Sequence, residues 1–74
     1  MSTSKKNLPP IARNIRKYRN EQGISQDKLS KLAEVSFNTI TKIEAGDTPN
    51  PTVETMRRIA DALGVTIDDL MQQL

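Results

Sequence analysis

Neither cysteine nor histidine occurs in the 74 residues, and together the two absences remove much of the chemistry a small protein can carry. Without cysteine there is no disulfide and no thiolate ligand. Without histidine a transition-metal site would have to be built from oxygen alone, so no metal and no cofactor is expected. The same absences take away the usual general base and the strongest nucleophile, and the serines have no evident activating partner; a binding protein is expected, not an enzyme. Long apolar stretches are missing as well. No apolar run exceeds three residues, far too short to span a membrane, and the polar start from Met1 to Asn7 lacks the apolar core of a secretory signal. A cytoplasmic protein with no membrane partner is the expectation. So short a chain has room for one domain, near the size at which a core barely supports a fold, and helix packing alone must supply the stability.

What is present is unevenly distributed. The formal net charge is only +2, yet Lys5, Lys6, Arg13, Arg16, Lys17 and Arg19 all precede the first acid, Glu21. After Arg58 come Asp61, Asp68 and Asp69 with no further basic residue. A polyanion would meet one end of such a molecule preferentially, although a basic amphipathic helix can equally be a solvated face.

Helix punctuation is legible throughout, and no alternating run of β-branched residues suggests a strand. Residues 1–8 read as a flexible basic arm and 9–74 as one domain of five helices. The first helix starts at Pro9-Pro10, presents Ile11, Ile15 and Tyr18 on one face and stops at Gly23. The second is capped by Ser25 and directs Leu29, Leu32 and Ala33 inward; the third, capped by Ser36, runs from Phe37 to Ala45 and is closed by Gly46. The prolines of Asp47-Thr48-Pro49-Asn50-Pro51 make that stretch a loop. A fourth helix is capped by Thr52 and carries Val53, Met56, Ile59, Ala60 and Leu63 inward before Gly64. A fifth begins at Thr66, with Asp69 in a variant capping box, and bears Ile67, Leu70, Met71 and Leu74.

The informative unit is Gln26 to Ala45, two short helices separated by the turn Glu34-Val35-Ser36. Such a pair crosses steeply, so its second helix projects and can enter the major groove of B-DNA, about 12 Å wide. On a helical wheel Ser36, Ile40 and Ile43 form the buried side, and Asn38, Thr41, Lys42 and Ala45 the opposite arc, with Phe37 at the border, where it fits either core or contact. Asn can pair with adenine, Lys can donate to guanine, and Thr or Phe can touch a thymine methyl. The base-reading candidates are therefore Phe37, Asn38, Thr41 and Lys42. Gln26 stands at the positive end of the second helix, where a phosphate would sit, and Lys31 lies within reach of the same backbone.

The ordered set Ile15-Arg16-x-x-Arg19, Gly23-Ile24-Ser25-Gln26, Leu29, Val35-Ser36, Ile40, Ile43-Glu44-x-Gly46, Asn50-Pro51-Thr52 and Ile59-Ala60-x-x-Leu63-Gly64-Val65 resembles the Cro and phage-repressor type of helix-turn-helix family, also called the xenobiotic-response-element type. The resemblance implies an all-α, compact five-helix bundle of the lambda-repressor-like type, with the helix-turn-helix formed by helices two and three. It further implies a regulator of transcription that places helix three on double-stranded DNA, a phosphate contact from Gln26, and an ion pair between Arg19 and Glu44 tying helix one to helix three. Three departures stand out. Glu34 takes a turn position usually held by Gly, where a left-handed backbone would cost about 1–2 kcal/mol. Ser30 replaces a usual Ala. The loop from Asp47 to Thr52 lacks basic residues, so its phosphate grip would rest on Thr48, Asn50, Thr52 and backbone N–H groups.

A rival reading makes the bundle a protein-interaction module, such as an antitoxin or a bridging factor with a protein partner. The apolar pattern of the fifth helix adds an expectation about assembly: a weak homodimer through Leu70, Met71 and Leu74, presenting two recognition helices about 34 Å apart.

Overall fold

The computed structural model describes residues 8–73. Its helices are α1 (Pro10–Glu21), α2 (Gln26–Ala33), α3 (Phe37–Glu44), α4 (Val53–Leu63) and α5 (Ile67–Met71), and no strand occurs among the described residues. Leu74 and residues 1–7, with Lys5 and Lys6 of the basic arm, lie outside the described residues.

Local capping chemistry starts four of the five helices. The hydroxyls of Ser25, Ser36, Thr52 and Thr66 each accept a hydrogen bond from the backbone N–H three residues on, which satisfies one of the donors a helix start leaves unpaired. At Thr66 the box is complete, because the Asp69 carboxylate also accepts from the Thr66 N–H at 3.0 Å. Helix α1 starts instead on Pro9 and Pro10, where fixed φ and a missing N–H cost nothing. The end of α2 is unusual: Glu34 takes left-handed backbone, φ 59° and ψ 41°, the only non-glycine described residue with positive φ. Gly46, just past α3, has φ +85°, and a Cβ there would lie 2.9 Å from Leu8 Cδ2, so the chain entering α1 crosses close to the end of α3.

The helices close around one core of Ile11, Ile15, Leu29, Ala33, Ile40, Ile43, Ile59, Ala60, Leu63 and Leu70. Tyr18, Ile24, Val35, Met56 and Ile67 pack against it in part. Helix α3 lies against α1 and α2, α4 covers α2, and α5 docks on α1 and α4. Buried Asn14 donates from Nδ2 to the carbonyls of Leu70 at 2.8 Å and Gln72 at 2.7 Å, latching the end of α5 to α1.

Four expectations need correction. Leu32 is half exposed because the buried face of α2 is the arc of Leu29, Ser30 and Ala33, and at about 100° per residue Leu32 falls well outside it. Val53 is 67% exposed; it shares the angular position of Ala60 but stands two turns earlier, about 10 Å along the axis, beyond the end of the core. Leu70 is fully buried against α1 and is not available for a contact between copies. The fifth helix ends at Met71, since Gln72 turns to extended backbone, φ −67° and ψ 134°.

Candidate nucleic-acid interface

Helix α3 has two chemically distinct sides. Ile40, Ile43 and Glu44 are buried, whereas Phe37, Asn38 and Lys42 are exposed and Thr41 is half buried. Ser36 is exposed and acts as the cap rather than as part of the core. Phe37, which the wheel left between two roles, stands 49% exposed at the first position of the helix. Among the described residues the side chains of Asn38 and Lys42 have no hydrogen-bond partner, while Thr41 Oγ1 donates to the Asn38 carbonyl at 2.9 Å.

Below this surface the helix is anchored through Glu44, whose side chain is 1% exposed. Its Oε2 accepts from Arg19 Nε at 2.8 Å and its Oε1 from Arg19 Nη2 at 3.0 Å, a two-pronged pairing that joins α3 to α1. Arg19 Nη1 donates in turn to the Ile24 carbonyl at 3.0 Å. The hydrogen bond to Glu44, aided by the carboxylate charge and opposed by desolvation, raises the pKa of Arg19 above its ordinary value. Gln26 Nε2 also donates to Glu44 Oε1, at 3.0 Å, which brings α2 into the same cluster. Arg16 places Nε 3.7 Å from Oε1 and donates from Nη2 to the Glu44 backbone carbonyl at 3.2 Å, a cation at the negative end of α3. No buried side-chain polar atom among the described residues lacks a partner.

The other candidate residues are scattered around this frame. Gln26 keeps one amide hydrogen beyond the one given to Glu44. Lys31 pairs with Asp27 at 3.0 Å, both largely exposed, an i, i+4 pair weak enough for a phosphate to displace. Thr48 is half buried and Asn50 exposed. Thr52 is exposed, but its hydroxyl accepts from Thr55 N–H at 3.1 Å and donates to Thr55 Oγ1 at 3.0 Å, so it is occupied as a cap. Met71 is 43% exposed.

Sequence reasoning missed several polar contacts, the Asn14 latch between α1 and α5 among them. Arg16 and Gln26 join Glu44, and Arg58 Nη1 donates to the carbonyl of left-handed Glu34 at 3.2 Å. Arg16 carried a signal, because it precedes Arg19 by three residues on the same helix face. Asn14 carried one too, as a polar residue within the stripe of Ile11, Ile15 and Tyr18.

Two short helices joined by a tight turn, with the second tied from below and free above, are the geometry of a helix-turn-helix, and the helix-turn-helix family model matches residues 15–70. The chain belongs to the helix-turn-helix family. It is similar to the HTH-type transcriptional regulator DdrOP3 of Deinococcus deserti, 29% identical over 62 residues, which cover 84% of this chain and 47% of that protein. It is also similar to the HTH-type transcriptional regulator SinR of Bacillus subtilis, 27% identical over 63 residues, covering 85% of this chain and 57% of SinR. The chain thus spans about half the length of the curated relatives it matches. The solved structure of a hypothetical transcription factor, NHTF, from Neisseria shares the fold, with a TM-score of 0.78 at 23% identity, over 97% of this chain and 83% of that one. Among the described residues no helix is long and apolar enough to cross a membrane.

Proposed function

We propose that this helix-turn-helix chain binds double-stranded DNA with sequence preference and regulates transcription, with α3 in the major groove. The observation that carries the reading is the two-sided build of α3: Ile40, Ile43 and Glu44 hold one side in the bundle, and Phe37, Asn38 and Lys42 stand exposed on the other. In this reading Phe37, Asn38, Thr41 and Lys42 meet base edges, while Gln26, Lys31, Thr48, Asn50 and Thr52 meet phosphates, Thr52 through the backbone of the α4 start it caps. The kinship with proteins named as transcriptional regulators supports the regulatory part. A homodimer through the end of α5 is a further part of the proposal, and Met71 is the exposed apolar residue there on which it rests among the described residues.

The test is a selection of bound duplexes from a random pool at fixed salt, repeated with variants. Asn38→Ala and Lys42→Ala each lose about 1–3 kcal/mol of discrimination at a defined base pair, whereas Lys31→Ala weakens all duplexes alike and lowers the salt slope. An unchanged preferred sequence in the first two variants would remove α3 as the reader and favour the protein-interaction alternative.

A further inference from the structure

The hydroxyl groups at the start of α3 are used within the helix itself. Ser36 Oγ accepts from Thr39 N–H at 3.0 Å and shares a hydrogen bond with Thr39 Oγ1 at 2.8 Å, and the Thr41 proton goes to the Asn38 carbonyl. The Thr41 hydrogen and one of the two hydroxyl hydrogens of the Ser36–Thr39 pair are thereby committed within the helix, and each of the three oxygens already takes part in a hydrogen bond. The exposed side chains of α3 without any hydrogen bond among the described residues are of opposite character: the polar ends of Asn38 and Lys42, and the ring of Phe37. That ring is the only phenylalanine in the chain and is half exposed. A single exposed apolar residue is ordinary on a protein surface. The place of this one is not, because it adjoins Asn38 and opens the helix that carries Lys42.

A phenyl ring makes no conventional hydrogen bond to a base edge, and the apolar group that the major groove offers is the C5-methyl of thymine. We propose that Phe37 is a specificity-determining residue that reads a thymine methyl, so that the preferred half-site carries an obligatory thymine beside the base pairs met by Asn38 and Lys42. The inference rests on the reading of α3 as the major-groove helix and adds to it the base that Phe37 selects.

The experiment uses the 74-residue chain and the duplex it selects from a random pool. Each thymine is replaced singly by deoxyuridine, which deletes the methyl and leaves the hydrogen-bonding edge intact, and affinity is measured at fixed salt. One thymine in each half-site is expected at which uracil weakens the parent about fourfold, the equivalent of about 0.8 kcal/mol for one buried methyl. Phe37→Ala binds the thymine and uracil duplexes equally, and Phe37→Leu keeps part of the difference, with thermal melts showing that both variants are folded. A parent indifferent to uracil at every position overturns the proposal without recourse to any variant. So does a Phe37→Ala variant that retains the full uracil penalty. A chain with no preference among duplexes overturns the underlying reading of function instead, and with it the role of Phe37, leaving the ring as a contact for a protein partner.

Discussion

Two clusters of arginine and glutamate occupy this molecule, built from the same parts in different surroundings. Beneath α3, Arg19, Arg16 and Gln26 close on Glu44, with Arg19 14% and Glu44 1% exposed at the side chain. On α4, Arg57 and Arg58 share Glu54, Arg57 also reaches Asp61, and Arg58 reaches Glu34, all at least 41% exposed. The second cluster has more ion pairs and a lowered pKa at Glu54, caused first by its hydrogen bond to Arg57 and then by that to Arg58. It should nevertheless contribute less to stability. In water such charges are already well solvated and screened, so pairing gains little; under α3 the carboxylate has lost its water and depends on its partners. The number of ion pairs is thus a poor guide to what they hold in place.

The sharpest way to break this contrast is Arg19→Ala. Removing one partner of a buried pair costs about 3–5 kcal/mol, and here the lower end is expected because Arg16 and Gln26 remain beside Glu44. At about 4–8 °C per kcal/mol in a domain of this size, the melting temperature should fall by at least about 12 °C. Replacing both partners with apolar residues of similar volume, Arg19→Met with Glu44→Leu, should recover much of that loss. Thermal melts followed by circular dichroism decide it, and an Arg19→Ala chain as stable as the parent would place both clusters on the same footing.

A smaller effect is expected from Glu34→Gly, which touches the rim of the α4 cluster. Glycine relieves the left-handed backbone, about 1–2 kcal/mol, but carries more freedom into the unfolded chain, about 0.5–1 kcal/mol, and gives up the exposed pairing of the Glu34 carboxylate with Arg58. The Glu34 carbonyl that Arg58 also binds is retained. A net change within about 1 kcal/mol, stabilising if anything, is the outcome to look for in denaturant melts. A clear destabilisation would show that the surface pair matters more than its exposure suggests.

The smallest effect belongs to Glu54→Gln. Because folding lowers the pKa of Glu54, its contribution is present above the ordinary carboxylate pKa and is lost as pH falls through the lowered value. Any difference between parent and variant should therefore be greatest near neutral pH, vanish in acid, and shrink with salt. Melts at neutral and acidic pH, each at low and high salt, should show a neutral-pH difference barely separable from zero. A large one would reverse the ranking of the clusters.

The family and the five-helix fold were legible because their evidence is local or ordered along the chain. Ser25, Ser36, Thr52 and Thr66 mark helix starts, and the ordered set from Ile15 to Val65 lies within the family match to residues 15–70. The candidate reading surface was legible in outline, since Ile40 and Ile43 fall on one side of α3 and Asn38 and Lys42 on the other. Leu32 was misread by angle, since it falls outside the arc of Leu29, Ser30 and Ala33, whereas Val53 and Leu70 were misread for another reason. Periodicity reports which residues share a stripe, but not where along the stripe a neighbouring helix begins, ends or turns away.

By itself, then, the sequence determined where the helices begin, because a cap acts over three residues, and which chemistries are absent, because composition alone settles the lack of thiols and imidazoles. Tertiary structure decided that Phe37 is exposed, that Leu70 is core and that Glu44 gathers its partners. Those partners lie 18 to 28 residues away along the chain, and a buried carboxylate finds its donors only after packing has removed its water.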